Sequence, residues 1–437
     1  MGDNPLIIRH RMYPAKYLLA SLLVVAVVVT LSSVLLIAQR PDLVTSKGPL
    51  ATTTSLINTV QNTNIEGANN NNPTRSYATQ IMADCKNDIH CPVLALDMVY
   101  NKTESRQIML GTFSDLILLH HESYYDCHDV AHHLGTWLYG YTRNVEEAKS
   151  YAPPLVCGGG VLHGIFQGYF ATEQTHNVVD KNQITVTNLC PISQENINWI
   201  YERECIHGIG HGLTAFYDYN TTAAVDRCNE FGQQWAQSAC ARGVFMQNMV
   251  RYYETKTKVG DFDKHDLYFP CDRTVEEFLS QCYYYQQSYW LIINGDNVTD
   301  AFAKCDKISP SEFAKSCYQG MGAELADVAY SNQELAIAAC YLGEHARSYH
   351  DDCMRGMLRV VLDDDAKTDL GFELCSLSRL DFKAECYEIV GMWIKMFNSN
   401  QQELERECTK VSEMDYVINC INASPDSRTH ISVFELV

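Results

Sequence analysis

The stretch "SNQELAIAACYLGEHARSYHDDCMRGMLRVV", residues 331–361, contains the unit from which the fold is predicted. Ser331, followed by Glu334 three residues later, is a helix N-capping box, and Cys340 lies near the end of the helix that follows. A turn around residues 343–348 leads into a second helix that contains Cys353. The two cysteines are nearly equidistant from this turn, so an antiparallel hairpin brings them to the separation that a disulfide needs. The stretch therefore predicts a disulfide-bridged helical hairpin.

The same cysteine spacing recurs along the chain from residue 190 onward. Cysteines there fall into pairs 11 to 15 residues apart, and successive pairs begin 33 to 43 residues apart. A unit of about 35 residues is the length of a helix–turn–helix repeat. In "SPSEFAKSCYQGMGAELADVAY", Ser309 is the expected N-cap and Pro310 the first helical residue. The predicted disulfides are Cys190–Cys205, Cys228–Cys240, Cys271–Cys282, Cys305–Cys317, Cys340–Cys353, Cys375–Cys386 and Cys408–Cys420.

Repeat length, helix pairing and paired cysteines over residues 190–420 resemble the disulfide-bridged helical-repeat solenoids of the Sel1-like and tetratricopeptide class. The resemblance implies a fold and no specific activity, because the spacing within each pair is longer than in the cysteine-rich Sel1-like proteins. The expected fold is all-α: a right-handed, disulfide-stapled α-solenoid of helical hairpins behind a single transmembrane helix. Four cysteines lie outside the register and their pairing stays open: Cys85, Cys91, Cys127 and Cys157.

The N-terminal part of the chain predicts the compartment. Residues 17–38 form an uncharged apolar run that is long enough for one bilayer crossing. Arg9, Arg11 and Lys16 precede it, so the N-terminus is expected in the cytoplasm and the main domain outside it, at the cell surface or in the secretory lumen. A cleaved signal peptide is the alternative, although its apolar region would be shorter. All 18 cysteines follow residue 84, which agrees with an oxidising compartment.

Composition divides the chain into five expected parts. They are a cytoplasmic tail (1–16), a transmembrane signal anchor (17–38), a flexible Thr/Asn-rich stalk (39–79), a His-rich N-terminal helical domain (80–246) and C-terminal disulfide-paired helical repeats (247–437). The stalk has too few large apolar residues to repay its ordering. The net charge of −20 disfavours nucleic acid as a partner and favours cations and basic partners. Glycosylation sequons occur at Asn101, Asn220 and Asn297.

Histidines are concentrated in the first half of the folded region. Residues 120–211 hold nine of the 15 histidines. In "CHDVAHHLG", "CGGGVLHG" and "CIHGIGHG" the sixth residue after the cysteine is His133, His163 and His211 in turn, and in "CARGVFM" it is Met246. Equivalent positions in stacked repeats line one face of a solenoid, so three imidazoles are expected to converge there.

Two further histidine pairs have the spacing that places both rings on one helix face. They are His128 with His132 and His207 with His211. Neutral imidazole suits zinc or copper; a nearby methionine favours copper, and Asp129 could add a ligand or orient a ring. The alternative is that the histidines are structural and were copied by duplication. The candidate metal ligands are His133, His163 and His211, then His207, His128 and His132.

Two function classes follow from these features. The first is a membrane-anchored, extracytoplasmic binding scaffold for a protein, peptide or glycan, because helical repeats form extended concave surfaces. The second is a zinc- or copper-dependent enzyme or metal-handling protein centred on residues 127–246. The sequence lacks HExxH, GxSxG and Walker A motifs, so no complete catalytic set supports an enzyme. The scaffold is the first expectation and the metalloprotein is the alternative.

Overall fold

The structure is a computed structural model that describes residues 73–423, apart from 86–87, 89, 124–126, 153–155, 176–183, 193–198, 256–261, 264, 364–367, 398–400 and 412. Regular structure in the described residues is helical, with an isolated β-bridge between Asp263 and Asp266. The first nine helices are α1 Pro73–Cys85, α2 Cys91–Thr103, α3 Arg106–Ser123, α4 Cys127–Thr142, α5 Val145–Tyr151, α6 Gly160–Thr175, α7 Trp199–Phe216, α8 Thr221–Asp226 and α9 Gln234–Thr255. The others are α10 Leu279–Ile293, α11 Val298–Cys305, α12 Ser311–Ala329, α13 Gln333–Ala339, α14 Ala346–Asp363, α15 Thr368–Leu377, α16 Leu380–Phe397, α17 Gln401–Cys408 and α18 Val417–Asn422.

Short helices between the long ones begin at asparagine N-caps. The side chains of Asn144, Asn220, Asn297 and Asn332 each accept a hydrogen bond from the backbone N–H three residues later, at the starts of α5, α8, α11 and α13. Asn332, rather than the predicted Ser331, therefore caps α13. The start predicted for α12 is also shifted by one residue: the helix begins at Ser311, and Pro310 rather than Ser309 is at the N-cap position.

Nine disulfides bridge all 18 cysteines. Each of the seven pairs predicted from the spacing is a disulfide in the structure, with Cα–Cα separations of 5.5 to 5.9 Å. In Cys340–Cys353 the first cysteine is the C-cap of α13 and the second lies in α14, as the opening stretch predicts. The four cysteines outside the register pair as Cys85–Cys91 and Cys127–Cys157.

Glycines allow the long helices to cross at backbone contact. A Cβ on Gly164 of α6 would lie 2.0 Å from the carbonyl oxygen of His132 in α4, and a Cβ on Gly243 of α9 would lie 1.9 Å from that of His207 in α7. The crossing of α12 and α14 is built in the same way, with Gly356 against Gln319. A larger residue has no room at these crossings, so the glycines set the distance between the helices.

Buried apolar residues form two clusters that meet along α6. The first cluster runs from Ala78 to Ile165 and includes α1 to α4. The second begins at Phe166, the next residue of α6, and continues to Ala423. The buried polar residue His163 lies on this same helix, where one apolar core gives way to the other. The limits of the predicted domains and the handedness of the array stay predictions.

The expectation of a fold behind a transmembrane helix is corrected by the structure. Within the part of the chain that is described, none of the helices combines the length and apolar character needed to cross a membrane. The longest apolar run, residues 17–38, lies outside the described residues. The fold shown is therefore all-α with nine disulfides, and the predicted single-pass membrane topology is withdrawn. The disulfides remain consistent with an extracellular or secreted protein.

Candidate metal centre

Five histidine rings from three helices form one continuous cluster. His128 and His132 come from α4, His163 from α6, and His207 and His211 from α7. Neighbouring ring centroids lie 4.7 to 5.2 Å apart. The glycine crossings of α4 with α6, at Gly164, and of α7 with α6, at Gly208 and Gly212, explain this proximity, because they bring the helix backbones close enough for imidazoles to meet.

The outer nitrogens of the first three rings are held by oxygen acceptors. Nδ1 of His128 donates to the carbonyl oxygen of Cys157 at 2.8 Å. Nδ1 of His132 donates to Oε1 of Gln167 at 3.1 Å. Nε2 of His163 donates to the carboxylate of Glu204 at 3.2 Å. Because a neutral imidazole carries one ring proton, each remaining nitrogen presents a lone pair.

Those three lone pairs point toward one another. Nε2 of His128 lies 3.0 Å from Nε2 of His132, and the latter lies 3.3 Å from Nδ1 of His163. The three potential ligand atoms all lie within 4.8 Å of each other. Three nitrogens that face one another in this way form a group that could hold a metal ion. We call His128, His132 and His163 the outer triad.

The second group, which we call the inner triad, consists of His163, His207 and His211. Its potential ligand atoms also lie within 4.8 Å of one another. Nδ1 of His211 donates to Oε1 of Gln247 at 2.8 Å, and its Nε2 lies 3.1 Å from Nε2 of His207. Nδ1 of His207 is buried without a hydrogen-bond partner. His163 belongs to both triads.

Burial favours the neutral form of four imidazoles in the cluster. Desolvation lowers the pKa of His163 to about 4, although Glu204 opposes the shift. Desolvation, reinforced by the neighbouring histidines, lowers the pKa of His132, His207 and His211 well below the usual histidine value. Neutral imidazole is the form that binds a metal ion.

Glu204 connects the histidine cluster to the buried guanidinium of Arg203. Its carboxylate accepts from Nε2 of His163 and from the guanidinium of Arg203. Burial alone would raise the pKa of Glu204, but Arg203 and His163 outweigh burial and lower it to about 2. The carboxylate is therefore ionised, and it fixes the ring proton of His163 on Nε2.

The structure brings five of the six predicted ligands together and leaves His133 apart. The His133 ring packs against His90, with centroids 4.6 Å apart. Counting from the cysteines does not work in the first repeat because Cys127 begins α4, whereas Cys157 has non-helical dihedrals ahead of α6. His132, one residue earlier, therefore takes the place predicted for His133. Asp129 belongs to neither triad.

Three supporting residues were missed by the sequence prediction. Gln167 follows His163 by four residues, so helical spacing could have placed it on the same face. Gln247 lies next to Met246, which the cysteine alignment selected instead. Glu204 had no signal beyond its position beside Cys205. Of the sequon asparagines, Asn220 and Asn297 use their amide oxygens as helix caps, and Asn101 is exposed on α2.

Comparison with known proteins gives no relative: no protein-family profile, no curated protein and no solved structure matches the chain. The resemblance to Sel1-like and tetratricopeptide repeats is therefore shown only as far as helices and nine disulfides. The chemistry of the histidine cluster has to be derived from its own geometry.

Proposed function

We propose that the protein binds a divalent transition-metal ion, and that the outer triad of His128, His132 and His163 is the site of binding. One observation carries the proposal: three imidazole lone pairs converge while the opposite nitrogen of each ring donates to an oxygen acceptor. That arrangement of outer acceptors is the one that orients histidines in metal sites. All the cysteines are bridged, so the donor set is nitrogen alone.

Zinc is the ion that this donor set favours. Three neutral imidazoles and an open fourth position are typical of zinc. Copper was favoured by the prediction only through Met246, whose neighbour Gln247 makes the contact with the cluster. We therefore propose zinc as the resident ion.

Metal handling is a better account of the site than catalysis. A zinc hydrolase needs a carboxylate that can accept a proton from water. The carboxylate at the cluster, Glu204, already accepts from His163 and Arg203 and has a pKa lowered to about 2. Such a group is a weak base. We assign the protein to metal binding rather than to hydrolysis.

The test is metal content. The full chain is expressed without a histidine tag by an oxidising secretory route, reconstituted with zinc and analysed by inductively coupled plasma mass spectrometry. We expect one zinc ion per chain, strongly reduced binding in His163→Ala, and unchanged binding in His133→Ala, which removes a histidine outside both triads. A wild-type chain that has formed all nine disulfides and still binds no zinc would contradict the proposal.

A binding scaffold is the second candidate. Large apolar side chains are exposed near the last two disulfides: Leu377, Leu380, Met414 and Ile418, at 42%, 78%, 78% and 57%. Large apolar side chains exposed to solvent are available for contact with a partner. The scaffold proposal expects a peptide or glycan ligand found by array screening to lose binding to the Leu380→Glu/Met414→Glu variant. Equal binding by the variant and the wild type would count against this surface.

A further inference from the structure

We propose that the inner triad of His163, His207 and His211 is a second zinc position, and that one ion passes between the two triads through their shared ligand His163. The inference rests on the proposed function, because it requires zinc to enter the cluster. It goes further because it gives the movement of the ion a direction, from the outer triad to the more deeply buried inner triad.

The inner triad has the electronic arrangement that an ion needs. Gln247 Oε1 accepts the Nδ1 proton of His211, which leaves a lone pair on Nε2. Nε2 of His207 lies 3.1 Å from that atom. An ion bound to both Nε2 atoms would place the proton of His207 on Nδ1, in the tautomer that the metal selects. The His163 ring lies 4.8 Å from His207 and 4.9 Å from His211, centroid to centroid.

One histidine of each triad lies at the same place in a helix crossing. His132 precedes Gly135 by three residues, and its carbonyl faces Gly164 of the partner helix. His207 precedes Gly210 by three residues, and its carbonyl faces Gly243 in the same way. Each crossing therefore carries its own pair of histidines four residues apart. This repetition is independent of the hydrogen bonds and places His132 and His207 at equivalent positions. The second histidine lies four residues earlier in α4 and four residues later in α7.

A glutamine pair links the two positions. Gln167, which holds His132, donates through Nε2 to Oε1 of Gln247, which holds His211. The Oε1 atom of Gln247 thus accepts one hydrogen bond from Gln167 and one from His211. Ring orientation in one triad is therefore coupled to ring orientation in the other.

The shared histidine restricts the cluster to one ion at a time. Nε2 of His163 is committed to Glu204, so only Nδ1 has a lone pair, and one lone pair binds one ion. Transfer exchanges the nitrogens of His128 and His132 for those of His207 and His211, with the charge of the ion unchanged. Exposure gives the direction: His128 is partly exposed, whereas His207 and His211 are 4% and 0% exposed.

The experiment separates the two positions by paired variants of the full chain. We compare His128→Ala/His132→Ala, His207→Ala/His211→Ala, the quadruple variant and His133→Ala as the matched control. Zinc content and affinity are measured after reconstitution, and circular dichroism checks the helical fold. We expect one zinc per chain in the wild type and in each double variant, with affinity about 10- to 100-fold weaker in the doubles, and no zinc in the quadruple variant.

Cobalt substitution supplies a second measurement. The two double variants are expected to give different cobalt absorption bands in the visible range, since their ligand geometries differ. If either double variant does not fold, the corresponding His→Gln pair replaces it. A folded outer-triad variant that binds no zinc, beside a wild type that binds one ion, would overturn the inner position alone. A wild type without zinc would instead overturn the proposed function.

Discussion

At the scale of single residues, the chemistry of the cluster depends on acceptors rather than on the histidines alone. Buried imidazoles are common in proteins, and their ring protons can satisfy any nearby carbonyl. Here a carbonyl, an amide oxygen and a carboxylate each accept a hydrogen bond from one ring N–H, so the lone pairs of the opposite nitrogens face inward. The ring nitrogens that carry the protons in His128, His132 and His163 therefore decide whether these histidines suit a metal ion or only form hydrogen bonds in a core.

Glu204→Gln tests this dependence on acceptors. The amide keeps the shape of the side chain but removes the charge that fixes the His163 ring proton. We expect zinc affinity to fall about 10-fold, the lower end of the usual effect for such orienting groups. The measurement is competition for zinc with a coloured chelator.

The control for Glu204→Gln is Glu147→Gln, which removes a carboxylate from an ion pair with Arg106. The side chain of Glu147 is 35% exposed and that of Arg106 is 48% exposed. Zinc affinity should not change there, because the pair lies outside both triads. An unchanged affinity in Glu204→Gln would show that the carboxylate does not orient the ligand.

At the scale of helices, the distance between backbones determines whether the rings meet. Gly164 and Gly243 each contact a carbonyl oxygen of the facing helix, and that carbonyl belongs to a histidine of the cluster. Helices that carry side chains at such a crossing pack 8 to 10 Å apart, as a rough rule. The site is therefore a consequence of helix packing as much as of side-chain identity.

Gly243→Ala should destabilise the protein by about 1–3 kcal/mol. The new Cβ would lie 1.9 Å from the His207 carbonyl oxygen, so α7 and α9 have to separate. Urea denaturation followed by circular dichroism measures the change in the free energy of unfolding. The matched control is Gly140→Ala in α4, where a Cβ meets nothing within 4 Å.

Alanine at position 140 should be neutral or stabilise the helix by up to about 1 kcal/mol, since glycine is a poor helix former. Equal effects of the two substitutions would mean that the close crossing does not contribute to stability. Zinc affinity should fall only in Gly243→Ala, because the inner triad moves with α7.

At the scale of the whole molecule, the disulfides and the candidate metal site lie in different parts of the fold. The cysteine pairs staple neighbouring elements, in most cases a short helix or turn to the long helix that follows it. The histidine cluster instead lies where the two apolar cores meet, on α4, α6 and α7. Zinc is therefore expected to hold the two cores together, which local disulfides cannot do.

Removing zinc should lower the thermal stability of the full chain. A ligand at 100 times its dissociation constant stabilises the folded state by about 2.7 kcal/mol. Differential scanning calorimetry of the zinc-loaded and chelator-treated protein checks this expectation, with His163→Ala as the variant that should not respond. A wild type with the same melting temperature in both forms would argue against zinc in the folded state.

The disulfides should differ in their effect on the metal site. Replacing Cys127 and Cys157 by serine frees the segment whose carbonyl accepts from His128, so zinc affinity should fall. Replacing Cys408 and Cys420 removes a bridge remote from the cluster and should leave affinity unchanged.

Each replacement is expected to cost about 3 kcal/mol of stability in the chain-entropy account. Equal zinc affinity in both variants, measured by the same chelator competition, would contradict the role of the Cys157 carbonyl. Unfolding in urea reports the stability of each variant separately.

The sequence by itself determined the features that depend on local spacing. Helical hairpins follow from capping residues and repeat length, and the seven register disulfides follow because the two cysteines of a hairpin lie equally far from its turn. The pairs His128–His132 and His207–His211 share a helix face for the same reason: four residues are close to one helical turn. None of these inferences needs a contact between distant helices.

Only the tertiary structure decided which histidines meet and what holds them. One residue along a helix turns the side chain by about 100°, so His132 joins the cluster while its neighbour His133 packs against His90. Glu204, Gln167 and Gln247 take their roles from helices that cross at glycines, and no spacing in the sequence encodes that crossing. The candidate metal site is a property of helix packing, because its histidines and the acceptors of their ring protons come from different helices.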